Sequence, residues 1–260
     1  MLKSKVALIT GSTSGIGLGI ARRLASEGCH ILLNGLGDRE AVEAIRYQLE
    51  TEYRVETYYH GADLSDVEQI GSMMDFSEKA FGGVDILVNN AGVQHVAPVE
   101  EFDPEQWNNI MAVNLNSVFH TSRLAIPSMK LKGWGRIINV ASIHAMVASP
   151  YKSAYVAAKH GVAGFTKTVA LETARSGITC NAVCPGYVMT PLVENQIADT
   201  AKARNITEAE VMEQVILGAQ PTKQFTQVED IAEMVYFLCL PSAKNITGSL
   251  QTIDGGYIAA

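Results

Sequence analysis

The chain has 260 residues, of which 47% are hydrophobic and 18% are charged, and these fractions exclude a disordered, collagen-like or coiled-coil protein. Its 20 Lys and Arg residues and 27 Asp and Glu residues give a net charge of −7. This acidic balance lacks the electrostatic footprint of a nucleic-acid-binding protein, so we expect no nucleic acid as a partner.

Short apolar runs alternate with longer stretches of helical periodicity along the chain. This alternation is typical of parallel strands joined by right-handed helical crossovers. Strands are predicted at 5–11, 30–34, 55–61, 86–89, 136–141, 179–184 and 250–253, and helices at about 15–28, 38–53, 66–82, 104–132, 152–175 and 227–239. The predicted fold is α/β, a single doubly wound (Rossmann) parallel sheet with helices on both faces.

One connection departs from this alternation of strands and helices. Residues 185–226, between the sixth strand and the last helix, contain two short helical patterns with polar joints. Connections of this length are uncommon unless they have a function. We therefore predict a helical substrate lid over the carboxyl ends of the strands, within a single domain that spans 1–260. A surface insertion without a role is the alternative.

The four cysteines are scattered without the spacing of metal ligands; they are Cys29, Cys180, Cys184 and Cys239. Cys180 and Cys184 lie on one predicted strand, where four residues span about 13 Å, which is too far for a disulfide. No apolar run reaches the roughly 18 residues that cross a bilayer, and glycine ends the N-terminal apolar stretch too early for a signal peptide. These features predict a cytoplasmic protein with free thiols, no metal and no membrane association.

The first predicted strand leads into a glycine-rich turn and then a helix. The turn reads Thr10-Gly11-Ser12-Thr13-Ser14-Gly15-Ile16-Gly17. Glycines let the backbone approach a pyrophosphate, which the free N–H groups of a helix N-terminus stabilise. The spacing differs from the G-x-G-x-x-G fingerprint. In this strand–turn–helix context it predicts a dinucleotide site, and a glycine-rich turn without a ligand is the alternative.

Two further segments follow the third and fourth predicted strands, at the edge of the sheet where ligands bind in open α/β folds. They are Asp63-Leu64 and Asn90-Ala91-Gly92. Capping the next helix is the alternative role of Asp63, and Asn90 and Gly92 also suit an ordinary turn.

The strongest catalytic pattern combines Ser142, Tyr155 and Lys159. Tyr155 and Lys159 are four residues apart on a predicted helix and share one face. A phenol has a pKa of about 10, so it is a poor base at neutral pH unless a positive charge such as that of Lys159 stabilises the phenolate. Ser142 would hydrogen-bond the substrate oxygen while Tyr155 accepts its proton. A packing pair of Tyr and Lys is the alternative, which the dinucleotide turn and the serine disfavour.

These motifs together resemble the short-chain dehydrogenase/reductase family over essentially the entire chain. The glycine turn, Asn-Asn-Ala-Gly, the Ser and Tyr-x-x-x-Lys set and Pro185-Gly186 occur in the family's order and spacing. The resemblance implies an oxidoreductase with the catalytic residues Asn114, Ser142, Tyr155 and Lys159. It also implies cofactor contacts from Pro185, Gly186, Val188 and Thr190. Asn114 would hold a water in a proton relay to Lys159; a buried amide bonded to neighbouring backbone is its alternative.

In that family, the residues after the second strand select the nicotinamide cofactor. NAD enzymes place Asp there, whereas NADP enzymes place Arg or Lys there or just before the second glycine of the turn. This chain has Asn34-Gly35-Leu36-Gly37 and Ser14 instead. A 2′-phosphate would lose its hydration without gaining a cation, so NAD is predicted, with Leu36 at the cofactor and Asp38 as a stand-in for the absent Asp.

The substrate side resembles bacterial D-3-hydroxybutyrate dehydrogenases, a subfamily with matching Asn-Ala-Gly-Val-Gln-His, Ala-Ser-x-His and Thr-Pro-Leu-Val-x-x-Gln-Ile segments. The resemblance implies a homotetramer that interconverts (R)-3-hydroxybutyrate and acetoacetate. The implied substrate residues are Gln94, Ser142, His144, Lys152, Tyr155, Tyr187, Gln196 and Tyr257. A cation, an imidazole and two amides suit a small carboxylate. The two tyrosines replace tryptophans of the subfamily, which leaves the preferred chain length open.

Two other functions remain open at this point. A 3-oxoacyl-carrier-protein reductase shares the fold and the catalytic residues, but it would prefer NADPH and need a basic patch for its acidic carrier. A non-catalytic nicotinamide sensor would not need a base such as Tyr155. A serine hydrolase using Ser142 and His144 is excluded, because the chain has no G-x-S-x-G elbow around this serine.

Overall fold

Seven parallel strands form one sheet in a computed structural model that describes residues 2–194, 196–218 and 220–259. The strands are β1 (Val6–Ile9), β2 (His30–Asn34), β3 (Thr57–His60), β4 (Ile86–Asn89), β5 (Gly135–Val140), β6 (Ile178–Pro185) and β7 (Leu250–Ile253). Their order across the sheet is β3-β2-β1-β4-β5-β6-β7. The chain reverses direction across the sheet between β3 and β4, so the predicted doubly wound α/β fold is confirmed.

Helices cover both faces of the sheet. They are α1 (Gly15–Ser26), α2 (Arg39–Tyr53), α3 (Val67–Phe81), α4 (Pro104–Met111), α5 (Ser117–Lys132), α6 (Ser153–Thr173), α7 (Pro191–Glu194), α8 (Ile197–Arg204), α9 (Glu208–Glu210) and α10 (Val228–Cys239). The predicted helix 104–132 is α4 and α5 joined by a π-helical turn, Ala112–Asn116. The strand bounds differ from the predicted ones by at most two residues.

The five central strands β1, β2, β4, β5 and β6 are buried on both faces, which explains their continuous apolar sequences. All four residues of β1 are buried: Ala7 and Ile9 pack in a cluster with α1 and α10, whereas Leu8 packs in a cluster with α3 and α5. Successive side chains of a strand point to opposite faces. Each of these central strands therefore contributes to two hydrophobic layers, and its carboxyl end is held at a fixed edge of the sheet.

A buried polar network joins the middle of the sheet to two helices. Asn89 and Asn139 are partners in the register of β4 and β5, and Asn89 Nδ2 donates to Asn139 Oδ1 at 2.9 Å. Thr121 of α5 donates to Asn89 Oδ1 at 2.7 Å, and Asn139 Nδ2 donates to Thr166 of α6 at 2.9 Å. The network ties these helices to the ends of two adjacent strands.

The predicted lid segment contains α7, α8, α9 and a π-helical turn, Val211–Ile216. Its residues 195 and 219 lie outside the described part of the chain. Val188 and Thr226 form an isolated parallel bridge, and the Thr226 N–H donates to the Tyr187 carbonyl at 3.0 Å. The two ends of the segment are therefore held together at the edge of the sheet.

All four cysteines are free and buried, as predicted. Among the described residues, no helix is long and apolar enough to span a bilayer.

We expect Asn139→Ala to destabilise the fold. The substitution leaves Asn89 Nδ2 with a single longer contact to Ser122 at 3.4 Å, and a buried polar group without a good partner costs about 1–3 kcal/mol. Urea denaturation followed by circular dichroism measures this loss of unfolding free energy. Asn108→Ala, at an exposed position of α4, is the control, and an equal effect of both substitutions would contradict the role of the network.

Candidate active site

A cleft of about 440 Å³ opens at the carboxyl ends of the central strands. Seventeen of the eighteen predicted cofactor residues line it: Gly11, Thr13, Ser14, Gly15, Ile16, Leu36, Asp63, Leu64, Asn90, Ala91, Gly92, Tyr155, Lys159, Pro185, Gly186, Val188 and Thr190. The cleft also includes residues that sequence analysis missed, among them Asn34, Ala62, Val113 and Val193. The structure thus brings residues from six strand ends to one continuous surface.

Gly17 is the exception, because it packs behind the glycine turn. A Cβ at Gly17 would overlap the carbonyl oxygen of Gly11, so the turn closes only with glycine there. Gly11 has φ +62°, and its Cβ would lie 2.9 Å from the Cα of Ala91. These glycines form a shallow cradle at the N-terminus of α1, and the free N–H groups of this helix end suit a pyrophosphate.

Two amides, the buried Asn34 and the partly buried Asn90, hold the edges of this cleft. Asn90 Nδ2 donates to the carbonyls of Thr10 and Gly11 at 2.9 and 3.0 Å. Asn34 Nδ2 donates to the carbonyls of His60 and Ala62, both at 3.0 Å. Both amides join neighbouring strand ends, which explains why β2 ends in asparagine.

Two aspartates, Asp63 and Asp38, do not have the alternative roles that the sequence suggested for them. Asp63 accepts from the backbone and hydroxyl of Ser65 at 2.9 and 2.8 Å, while Asp66 caps α3. The alternative role of Asp63 as the helix cap is therefore wrong. Asp38 caps α2 by accepting from the Ala41 N–H at 3.0 Å, and it does not line the cleft. The Asp38 carboxylate is therefore used to cap α2, and it does not take the place of the absent cofactor-binding Asp.

The predicted catalytic residues meet at the end of the cleft. Ser142 follows β5 and accepts from the His144 N–H at 3.2 Å, and its hydroxyl is hydrogen-bonded to the phenol of Tyr155. Lys159 Nζ lies 5.6 Å from the centre of the Tyr155 ring and donates to the Val140 carbonyl at 2.8 Å. The serine, phenol and ammonium groups are thus placed side by side.

Burial has the largest effect on the pKa values of Tyr155 and Lys159. It raises the pKa of Tyr155 to about 12, although the hydrogen bond from Ser142 acts in the opposite direction. Burial also lowers the pKa of Lys159 to about 8. We expected the charge of Lys159 to lower the pKa of Tyr155. Desolvation instead sets the direction of the shift, and the Lys159 ammonium donates to the Val140 carbonyl.

Asn114 lies in the π-helical turn between α4 and α5. Its Oδ1 accepts from the Val93 N–H at 2.8 Å, and its Nδ2 donates to the Val93 carbonyl at 2.9 Å. The alternative interpretation, an amide bonded to backbone, therefore describes its side chain. A Cβ at Gly92 would lie 3.6 Å from Asn114 Oδ1 and 3.9 Å from Lys159 Nζ. Both polar groups thus face the same space beside Gly92.

A second, smaller cleft of about 60 Å³ adjoins the first at Ser142 and Tyr155. Seven of the eight predicted substrate residues line it: Gln94, Ser142, His144, Lys152, Tyr155, Tyr187 and Gln196. Tyr257 does not line this cleft, but its ring packs edge-on against His144 with the ring centres 6.5 Å apart. Residues from the ends of β4, β5 and β6 and from the lid segment thus meet in one pocket.

This pocket contains buried polar groups without partners. Lys152 is only 8% exposed, and no carboxylate of the described residues lies within 4 Å of it. Its Nζ lies 5.6 Å from the centre of the Tyr187 ring. Both amide atoms of Gln94 are buried without a hydrogen bond. Burial, followed by the charge of Lys152, lowers the pKa of His144 to about 4, so this imidazole is neutral.

An unpaired buried ammonium is costly unless an anion approaches it. Burial and the neighbouring charge of Arg204 lower the pKa of Lys152 to about 8, so it still carries its proton mainly near neutral pH. Arg204 was not predicted at the site, because it stands in a polar helical stretch without a recognisable motif. The pocket is therefore suited to a small carboxylate beside a hydroxyl or carbonyl group at Ser142 and Tyr155.

Comparison with known proteins identifies a family and two similar enzymes. The profile of the short chain dehydrogenase family matches residues 5–201. D-beta-hydroxybutyrate dehydrogenase of Cupriavidus necator is 52% identical over 259 residues, with both chains covered completely. The enzyme of the same name from Rhizobium meliloti is 54% identical over 256 residues, which cover 98% of this chain and 99% of the relative.

A solved structure is also similar over nearly the whole chain. It is a crystal structure of a variant of actinorhodin polyketide ketoreductase with NADPH, at a TM-score of 0.91 and 36% identity, covering 98% of this chain and 97% of that chain. These comparisons confirm the family predicted from the motifs. The chain belongs to the short-chain dehydrogenase family.

Proposed function

We propose that this protein is an NAD-dependent dehydrogenase that interconverts (R)-3-hydroxybutyrate and acetoacetate. The observation that carries the proposal is the buried, unpaired Lys152 in a pocket that also contains Ser142 and Tyr155. An enzyme for neutral alcohols has no use for such a cation. The relatives with 52% and 54% identity, named as dehydrogenases of this hydroxy acid, support the same substrate.

In the direction of oxidation, the substrate carboxylate binds Lys152 and Gln94, and its hydroxyl approaches Ser142 and Tyr155. Ser142 orients the hydroxyl, and the oxygen of Tyr155 accepts the proton. Lys159 stabilises the resulting phenolate, because opposite charges attract strongly in a buried site. A nicotinamide ring bound in the larger cleft supplies the hydride acceptor. In reduction the same groups return the proton to the carbonyl oxygen.

The space beside Gly92 supports a relay from Tyr155 to solvent. Asn114 Oδ1 is occupied by the Val93 N–H, and this bond together with the π-helical turn sets the position of the residue. We propose that a water held beside Gly92 accepts a proton from Lys159 and passes it to solvent. π-helical turns are often found at functional sites, and this one lies next to Lys159.

Tyr155→Phe should abolish most of the activity, because it removes the proton acceptor and keeps the ring. Loss of general acid–base catalysis typically costs about 10²–10⁴-fold in kcat. Turnover of (R)-3-hydroxybutyrate with NAD⁺ measures this loss, and quenching of intrinsic fluorescence by NADH provides the control for cofactor binding. More than a tenth of the original turnover with unchanged NADH binding would exclude Tyr155 as the acid–base.

The cofactor is proposed to be NAD because the rim of the larger cleft lacks a cation for a 2′-phosphate. Leu36 is 67% exposed there, and Lys159, at the catalytic end, is the one Lys or Arg among the described residues that line this cleft. A hydrogen bond to a charged group contributes about 1.5–3 kcal/mol. NADP⁺ should therefore be used about 10–150-fold less efficiently than NAD⁺ in kcat/KM.

The test compares both cofactors with the native protein and with Leu36→Arg, which should selectively improve NADP⁺. Met189→Arg, at another exposed apolar side chain, is the matched control for added charge. Equal use of both cofactors by the native protein would contradict the proposal, and a preference for NADPH would favour a 3-oxoacyl-carrier-protein reductase instead.

Lys152→Ala should cost about 10–150-fold in kcat/KM for 3-hydroxybutyrate, since it removes a charge-assisted hydrogen bond to the carboxylate. The neutral methyl ester has no full charge to lose, so the preference for acid over ester should narrow. Lys167→Ala, at an exposed position of α6, the helix that Lys152 directly precedes, should change the rate for neither the acid nor the ester. Equal losses for acid and ester would show that Lys152 supports Tyr155 or the helix rather than the carboxylate.

Three further properties belong to the proposal. The segment 185–226 is a lid, because its α8 begins beside Gln196 of the pocket. The assembly is a homotetramer by resemblance, and the exposed Phe119 and Leu171 on α5 and α6 are compatible with contacts between copies. The cytoplasm is the proposed compartment, since four free cysteines suit a reducing environment.

A further inference from the structure

A second cation lies beyond Lys152. Arg204, the last residue of α8, lines a small cavity of about 10 Å³ behind the substrate pocket. This cavity shares Lys152, Tyr187 and Gln196 with the substrate pocket. The lid segment therefore brings an arginine towards the group that we propose as the carboxylate ligand.

The aromatic ring of Tyr151 lies next to the guanidinium group of Arg204. Its guanidinium carbon lies 5.7 Å from the centre of the Tyr151 ring, a distance at which a cation is attracted to the ring face. Tyr151 has φ +68°, a conformation that is unfavourable for a tyrosine. Its carbonyl accepts from the Ala97 N–H at 3.0 Å. The strained turn directly before Lys152 thus places the Tyr151 ring next to Arg204.

The two cations have no acidic partner in the described part of the chain. No carboxylate there lies within 4 Å of either side chain. The charge of Arg204 adds to burial in lowering the pKa of Lys152, so the two groups repel each other. An anion bound at Lys152 would reverse this interaction, because it would attract the guanidinium as well.

We propose that Arg204 is a specificity-determining residue that reads the negative charge of the substrate together with Lys152 and draws α8 towards a pocket that holds an anion. The inference rests on the proposed function, since it assumes a carboxylate substrate at Lys152. It extends that function, because selection for an acid then depends on a residue of the lid as well as on the rigid core. A neutral substrate of the same shape would not attract α8.

The experiment compares Arg204→Gln, Arg204→Lys and a control, Lys202→Gln, which removes an exposed charge from the same helix. KM and kcat are measured for (R)-3-hydroxybutyrate and its methyl ester at saturating NAD⁺. Arg204→Gln should raise KM for the acid about three- to tenfold, as expected for a partly screened charge near the anion, and change the ester less than about twofold. Arg204→Lys should retain most of the acid preference, and Lys202→Gln should retain all of it.

A second measurement does not depend on turnover. Hydrogen exchange across 197–204 is followed in the NADH complex with and without butyrate, a short carboxylate that lacks the reacting hydroxyl. Butyrate should slow exchange in the native protein and in Lys202→Gln, but not in Arg204→Gln. Thermal melting shows whether each variant remains folded.

Equal changes for acid and ester, or equal effects of Arg204→Gln and Lys202→Gln, would overturn the assignment of Arg204. Failure of the proposed function is distinguishable, because the native protein would then not turn over (R)-3-hydroxybutyrate at all. In that case, slowing of exchange by butyrate that depends on Arg204 would still support a carboxylate-reading role for this residue, and its absence would reject that role.

Discussion

Two buried amides in the middle of the sheet, Asn89 and Asn139, hold together the elements that carry the chemistry. Asn89 is the last residue of β4, directly before the cofactor segment, and Asn139 stands three residues before Ser142. Their outer partners are Thr121 on α5 and Thr166 on α6. A polar network at this depth is stable only if every member is satisfied. The requirement to satisfy these amides therefore also sets the distances between two strand ends and two helices.

The site combines this rigid frame with groups whose charges are poorly solvated. Lys152 and Lys159 both have a pKa lowered to about 8 by burial, in a protein with net charge −7. The surface field disfavours anions, whereas the pocket has a positive interior. Such groups destabilise the protein before ligands bind, and this strain favours complexes in which a carboxylate or a phenolate compensates the charge. The same feature that makes the pocket costly to fold makes it selective.

Much of the fold and of the cofactor cleft could be predicted, because the relevant signals are local. Buried parallel strands have continuous apolar sequences, and the residues after them point to one edge of the sheet. The π-helical turn at Asn114 depends on bonds to Val93, which is distant in sequence, so helical periodicity predicted one uninterrupted helix. Arg204 was missed for a similar reason, since its relation to Lys152 exists only after α8 has packed. Asp38 was misjudged because its helix-capping role competes for the carboxylate.

The bridge between Val188 and Thr226 has a consequence for how such enzymes diversify. Because the intervening segment leaves and rejoins the sheet at one point, its length and sequence can change without moving Ser142 or Tyr155. Lengthening a loop with fixed ends has only a small entropic cost. New substrate ranges can thus arise by replacing this segment alone, while the residues that we propose for proton transfer keep their positions.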